Sequence, residues 1–362
     1  MNVSRHIYDY LNYKMDTAIV LTAGLLNTSD AKTAHGLIRE SNRFKIAGII
    51  DEKHAGKDAG ELLDGRHRDI PVFASIEASL LLQPDYCVVG VAVTGGIFPD
   101  TMIKDVKEAI KNKISILNGL HDYLSERPDI VELAASNGVQ LIDIRKPKKR
   151  RDLNFWTGNI FQLKIPVVAV IGTDCSMGKR TTTRFLLNDC REAGINAHMI
   201  YTGQTGWLQG SEYGFILDST LNDFVAGELE HAVLTCAAET SADIILIEGQ
   251  SALRNPSGPC GSEILVSANA KYVILVHAPK RTYYEEDPVW GRIPSLESEI
   301  ALIGMYGATV IAVALNTDHC TLEEAHAFQA AYEVTLHIPV ILPLLEGCKR
   351  IVTQIKKLIT TA

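Results

Sequence analysis

The chain has 362 residues, 46% of them apolar and 22% charged, and a net charge of −8. That length makes two domains the natural reading, the composition is that of an ordinary globular protein, and the acidic balance argues against a general nucleic-acid binder and for solubility. Seven dispersed cysteines with no Cys-x-x-Cys pair read as reduced thiols of a cytoplasmic protein, the polar first residues exclude a signal peptide, and no apolar run approaches the roughly 20 residues of a membrane span.

Residues 1–15 read as a short amphipathic arm or helix. A strand is predicted over 17–22, ending at Ala23 and Gly24, then a helix over 31–39 that starts at Ser29 or Asp30. A second strand spans 44–50 and is closed by Asp51; 70–73 is short and strand-like. The apolar run 86–93 is a strong strand that leads into Thr94, Gly95 and Gly96. Met102, Ile103, Val106 and Ile110 have the spacing of a helix over 100–111. A strand at 114–117, a helix at 131–137 and a strand at 140–144 follow. Strands alternating with helices make a parallel sheet, so residues 1–145 are expected to form a Rossmann-like α/β domain.

Ligands of such sheets sit at the carboxyl ends of the strands, which makes Gly24, Asp51, Thr94, Gly95, Gly96 and His121 candidates there. The first turn lacks the G-x-G-x-x-G fingerprint, so a nicotinamide cofactor is not expected. Asp51 reads rather as a strand-end cap and His121 as a solvated loop histidine. Residues 145–153 hold six basic residues and one proline. We take 146–154 as a stiff, solvated linker, with contact to an anionic ligand as the alternative.

The domain expected over 155–362 opens on the most informative stretch. The β-branched run 165–171 reads as a buried parallel strand. It is followed by Gly172-Thr173-Asp174-Cys175-Ser176-Met177-Gly178-Lys179-Arg180-Thr181-Thr182 and a helix to about residue 193. A glycine-bounded loop between strand and helix turns backbone N–H groups inward. The helix end adds positive dipole and Lys179 a full charge, which together cradle phosphate. Two irregularities stand out. Five residues separate the glycines instead of four, and Arg180 stands where Ser or Thr usually follows the lysine. A helix turns about 100° per residue, so Thr181 is displaced from the usual Mg²⁺-ligand position. Phosphate binding is compatible with that change; nucleotide hydrolysis is not favoured by it. The spacing and the Gly172-Thr173-Asp174 opening look like the dethiobiotin synthetase branch of P-loop proteins.

Beyond it, strands are predicted at 196–202, 242–249, 271–276, 309–316 and 338–342, and helices at 295–306, 322–332 and 348–359; residues 222–230 open a further helix, with acids in its first turns. Residues 203–210 read as a Gly-rich polar loop. The strand at 242–249 delivers Glu248 to the sheet edge beside the P-loop, either to organise Mg²⁺ or its water, or merely to pair with Lys179. Gln250, Ser251 and Arg254 lie in a polar loop on the same edge, with Arg254 as the candidate for a substrate carboxylate; Gln204 and Thr205 are further substrate candidates. Asp223 is a second metal-side acid or a helix N-cap. Thr181, Asp223 and Glu248 form the metal set should Mg²⁺ be used. Lys280, Arg281 and Arg292 sit in a long loop, 279–294, that reads as lying over the site.

Several segments together resemble one family: Gly172-Thr173-Asp174 through Lys179, Arg180, Thr181 and Thr182; Thr202-Gly203-Gln204-Thr205-Gly206; Asp223 to Gly227; Glu248-Gly249-Gln250; and Ile293-Pro294-Ser295-Leu296. It is the D-glutamate N-acetyltransferase family, formerly of unknown function. The resemblance implies a Rossmann-like N-terminal domain followed by a C-terminal P-loop domain, both α/β with mostly parallel sheets flanked by helices. After Glu248-Gly249-Gln250 the family reads Gly-Ser-Leu and then a His-Pro pair, where this chain has Ser251, Ala252, Leu253, Arg254, Asn255 and Pro256.

The resemblance implies acetyl transfer from acetyl-CoA to D-glutamate or a related amino acid. Residues 172–182 would hold the CoA diphosphate and Glu248 or His277 would act as base. The alternatives are an ATP- and Mg²⁺-dependent kinase or carboxylate–amine ligase, and a nucleotide-sensing protein without turnover. The expected partners are a small-molecule substrate and further copies of the same chain, since most such enzymes are symmetric homo-oligomers; neither nucleic acid nor membrane is expected.

Overall fold

In the computed structural model, residues 15–361 are described. The arm expected over 1–15 lies outside them except for Met15. The chain forms two compact units. One runs to Lys148 and takes in Gln204–Ser211; the other comprises Lys149–Gly203 and Glu212–Ala362.

The first unit is built on one parallel sheet of six strands: β1 (Asp16–Leu21), β2 (Phe44–Ile50), β3 (Val72–Phe73), β4 (Tyr86–Val89), β5 (Ser115–Asn118) and β6 (Leu141–Asp143). Their order is β3-β2-β1-β4-β5-β6, that of doubly wound dinucleotide-binding sheets. Strand β4 stops at Val89, short of the expected 93, because the chain turns into a hydrogen-bonded crossing. Gly90 N donates to Leu21 O (2.8 Å), Ala34 N to Gly90 O (2.9 Å) and Ala92 N to Asp30 O (2.7 Å). The crevice between β1 and β4 is thus laced shut by main chain. Part of the N–H set at the start of the helix Lys32–Arg39, where a pyrophosphate would dock in a dinucleotide-binding protein, already has a partner.

The second unit holds a seven-stranded parallel sheet: β7 (Val167–Gly172), β8 (Ala197–Tyr201), β9 (Tyr213–Gly214), β10 (Ile244–Glu248), β11 (Tyr272–His277), β12 (Thr309–Leu315) and β13 (Val340–Ile341). The order is β13-β12-β11-β7-β10-β8-β9, so β7 is central and flanked by β11 and β10. Every residue of β7 is buried, because alternate side chains feed two cores. Val168 and Val170 pack with Leu186, Leu187 and Cys190 of the helix Lys179–Glu192. Val167, Ala169 and Ile171 pack with Val225, Leu229, Val233 and Cys236 of the helix Asn222–Thr240. Residues 222–230 open that helix as the sequence predicts, and the packed face continues through Val233 and Cys236 to its end at Thr240.

One expectation fails outright. Residues 203–210 are not a polar loop: Gln204–Leu208 is a short buried helix, and the segment belongs to the first unit. Gln209 donates its side-chain amide to Gly36 O (2.8 Å) and Glu40 O (3.0 Å). Arg43 donates to Trp207 O (2.7 Å) and lies 4.3 Å over the Trp207 ring, a cation–π contact. The first domain is therefore discontinuous in sequence, unlike the contiguous 1–145 expected.

The linker region ends on an anchor. Asn154 N donates to Glu228 (2.7 Å) and Ile160 N to Glu230 (3.1 Å), both buried acids of the helix Asn222–Thr240. Among the described residues no helix is long and apolar enough to cross a membrane.

Candidate functional site

At the carboxyl end of β7 the chain leaves the sheet at Gly172. A Cβ there would stand 3.1 Å from Lys179 Cδ, so glycine lets the lysine stem lie across the strand end. Gly178 closes the loop with φ +92° as N-cap of the helix Lys179–Glu192, a left-handed conformation that favours glycine. Thr182 N donates to Gly178 O (2.9 Å). The N–H groups ahead of it lie at the helix end, where no intrahelical acceptor exists. Lys179 is buried and its Nζ donates to Asp174 O (2.7 Å), which keeps the ammonium over the loop it would serve.

The loop is fixed by its neighbours. Thr173 N donates to Val276 O on β11 (3.0 Å), and Thr173 Oγ1 lies 3.0 Å from His277 Nδ1. Asp174 is fully buried and accepts from Asn255 Nδ2 (2.8 Å), Arg281 Nη1 (3.1 Å) and Glu285 N (2.9 Å). Arg281 also donates to Cys175 O (2.8 Å), and the Cys175 thiol to Ser251 Oγ (3.2 Å). Ser176 is exposed at φ +51° and Met177 is buried in the core beneath the loop. Burial pushes the Cys175 thiol up, against the pull of Lys179, so it stays protonated and unreactive near neutral pH.

Glu248 ends β10 in register with Val170 of β7 and is 3% exposed. Thr202 N donates to its Oε2 (3.2 Å), Thr202 Oγ1 to its carbonyl (2.7 Å), and Gln250 Nε2 to Thr202 Oγ1 (3.0 Å). Burial pushes the Glu248 carboxyl up; Arg180, the Thr202 N–H, Arg184 and Lys179 act in the opposite direction without cancelling it. Arg180 and Arg184 are one turn apart on the P-loop helix, hence on one face. His277 is held down to about 4 by burial, with Arg281 adding to the effect and Glu297 opposing it.

These contacts gather Thr173, Asp174, Cys175, Lys179, Ser251 and His277 around the loop, and Thr202 ties Glu248 to Gln250 at the end of the neighbouring strand, with Arg180 acting on Glu248. Other candidates go elsewhere. Arg254 donates Nε to Glu299 (2.7 Å) and Nη1 to Ser298 Oγ (2.9 Å). Glu299 is buried, and an acid in that position commits the guanidinium. Gln204 and Thr205 are buried in the first unit, Gln204 against Gly119 and Thr205 Oγ1 3.0 Å from Thr33 Oγ1. Asp223 is exposed in the first turn of its helix, where a carboxylate complements the dipole.

Of the three cations of the long loop only Arg281 reaches the P-loop. Lys280 pairs with Glu324 (2.5 Å) and Arg292 stacks 5.4 Å from the Tyr283 ring. In the first unit Asp51 accepts from Thr22 Oγ1 (2.7 Å) and Leu26 N (3.0 Å) and lies 2.7 Å from His54 Nδ1. It is a strand-end cap. His121 is exposed beside Gly96.

This arrangement of a Rossmann-order sheet and a P-loop sheet matches known sequences. The model of a domain of unknown function, the DUF1611 P-loop domain, matches residues 154–352, and that of its Rossmann-like N-terminal partner matches residues 52–147. The chain belongs to the DUF1611 family. A protein named D-glutamate N-acetyltransferase from a Pseudoalteromonas species is 29% identical over 275 residues, 74% of this chain and 80% of that protein. One of the same name from Tritonibacter scottomollicae is 29% identical over 272 residues, 73% of this chain and 79% of that protein. The crystal structure of a DUF1611 family protein from Anabaena variabilis matches with a TM-score of 0.86 at 28% identity, covering 96% of this chain and 100% of that one.

Within this DUF1611 site, two residues escape a reading of motifs, Arg184 and Glu299, while Thr202 and Asn255 lie in the predicted segments with no role assigned to them. Arg184 had a signal, its four-residue spacing from Arg180 on a helix. Thr202 ends a predicted strand, at the edge where sites form. Asn255 and Glu299 act through contacts 81 and 45 residues away in sequence, and no local pattern announces them.

Proposed function

We propose that the protein is an amino-acid N-acyltransferase that moves an acetyl group from acetyl-CoA to D-glutamate or a related amino acid. The main-chain amides of residues 172–178 and Lys179 would hold the CoA diphosphate. The observation that carries this reading is a buried carboxylate, Glu248, beside a phosphate cradle, in a chain similar to two proteins named D-glutamate N-acetyltransferase.

A transferase of this kind needs a base for the substrate ammonium. Glu248 suits that role, because burial raises its proton affinity above that of an exposed carboxylate, against the opposing pull of Arg180, Arg184 and Lys179. His277 suits it less. Its affinity for a proton is depressed and its Nδ1 faces Thr173. Acetyl-CoA would supply the thioester: Glu248 would first take one proton from the ammonium and release it to solvent, the C–N bond would form as C–S breaks, and the second amine proton would pass through Glu248 to the leaving thiolate. Arg254 is not assigned to the substrate carboxylate, since taking it would strand the buried Glu299.

The test is a coupled pair of assays on the full chain. Free thiol release from acetyl-CoA is measured with D-glutamate, L-glutamate and other amino acids, and nucleotide turnover is measured with ATP and Mg²⁺. Amino-acid-dependent thiol release supports the proposal. ATP turnover without thiol release overturns it in favour of a kinase or ligase, and ligand binding without turnover of either overturns it in favour of a sensor.

A further inference from the structure

We infer that Arg180 stands in for the divalent cation of metal-dependent P-loop proteins, so that this loop grips a diphosphate without Mg²⁺. The inference rests on the reading of the loop as a CoA diphosphate site, and it concerns the charge that neutralises that diphosphate.

In a metal-dependent P-loop, the hydroxyl directly after the lysine and an acid from a neighbouring strand share the ion. Here the acid is present at the end of the neighbouring strand, and the residue directly after Lys179 is arginine. Arg180 is the strongest of the charges acting on Glu248, ahead of Arg184 and Lys179. Arg184, one turn further along the helix, is itself buried. The carboxylate that would serve a metal therefore lies in the field of two guanidinium groups and an ammonium, on a strand end next to the P-loop strand. A dication added beside Glu248 would be repelled by all three.

The oxygen ligands a magnesium ion demands are also dispersed. Thr181 is turned by about 100° from the usual position. Asp223 is exposed in the first turn of another helix. Among the described residues, the acid-containing groups close enough to share an ion are Asp174 with Cys175 and Glu285, and Glu286 with Asp318 and His319. Glu248 is in neither, and Asp174 already receives the Arg281 guanidinium. The donor set does not fit Mg²⁺.

It does fit phosphate oxygens. A guanidinium offers a planar fork of N–H donors that matches two of them, and it carries its charge at every physiological pH. Glu248, at the end of the neighbouring strand and under the field of Arg180, then has a second role as the counter-charge to that guanidinium.

The experiment is calorimetric titration of the full chain with CoA and, separately, with ATP, each in EDTA and in excess Mg²⁺, for the natural protein, Arg180→Thr and Arg180→Lys. For the natural protein we expect CoA affinity to differ by less than about 2-fold between the two media, and Arg180→Thr to weaken it in EDTA by at least about 10-fold, the worth of a charge-assisted hydrogen bond. Arg180→Lys should recover part of the loss, as charge without the fork.

CoA binding that tightens about 10-fold or more with Mg²⁺, or Arg180→Thr binding like the natural protein, overturns the inference. ATP binding equally well in EDTA and Mg²⁺, with no CoA binding, leaves the metal-free grip standing and removes the CoA reading. ATP binding only with Mg²⁺, or no binding of either ligand, removes both. If Arg180→Thr does not fold, judged by its melting transition, the EDTA comparison and Arg180→Lys still decide.

Discussion

Asp51 and Glu248 occupy equivalent places in two parallel sheets: each is an acid at the carboxyl end of a strand beside a glycine-bearing turn. Asp51 accepts from Thr22 and Leu26 N and faces His54, and burial, which alone would push its carboxyl up, is outweighed so that it lies low. Glu248 receives Thr202 N and the more distant pull of three cations, and burial wins. The same difference holds for the turns. The first unit closes its crevice with Ala34 N on Gly90 O, while the second presents a glycine loop, a lysine and an arginine. The topology sets where a site can form; the local partners decide whether chemistry is left over to do there.

The sharpest way to break this comparison is to remove each acid's charge. Glu248→Gln should lower kcat by about 10²- to 10⁴-fold, the usual contribution of a positioned base, while acetyl-CoA affinity changes little. Equal kcat in the variant would return Glu248 to the same class as Asp51. Asp51→Ala should do the reverse. It strands the buried Leu26 N–H and leaves His54 without this partner and the Thr22 hydroxyl with the Ile50 carbonyl, and should cost about 2 kcal/mol of stability, read from the urea midpoint, with CoA affinity unchanged. A loss of affinity without a loss of stability would place a ligand in the first unit.

The same contrast explains what was legible beforehand. Strands β2 and β7 and the helix Asp100–Lys111 follow directly from apolar periodicity. The P-loop was legible because its chemistry requires a local order: strand, glycine, glycine, lysine, helix. Gln204–Ser211 was misread because glycines and polar side chains look the same in a solvated loop and in a segment whose polarity is matched by Gly36, Glu40 and Arg43, some 170 residues earlier. The clamp on Asp174 by Asn255 and Arg281 was illegible for the same reason. Long-range hydrogen bonds leave no period in the sequence.

A third change sharpens the contrast between the two turns. Lys179→Ala should weaken CoA by about 1.5–3 kcal/mol, read by calorimetry. Lys179 Nζ donates to the Asp174 carbonyl of the loop, a partner an anion can displace; the melting transition of the variant separates a loss of grip from a loss of fold. Unchanged affinity would mean that the loop does not grip the polyanion.

The smallest effect concerns His277, which couples the P-loop to β11 through Thr173. Its proton affinity is depressed, by burial first, to about 4 in the fold, whereas an unfolded histidine titrates near 6.5. Below that unfolded value the unfolded chain binds the extra proton and the folded chain does not, so stability falls as pH drops. The contribution is complete above about 6.5, declines through the interval, and is gone once pH passes below about 4. Between pH 7 and pH 5 it amounts to about 2 kcal/mol. His277→Asn keeps a polar partner for Thr173 and removes the titration. It should therefore flatten the acid limb of the stability curve by about that amount while leaving the other titrations in place. A curve that keeps its slope would show that protonated His277 is accommodated, and that the end of β11 is more open to water than its burial indicates.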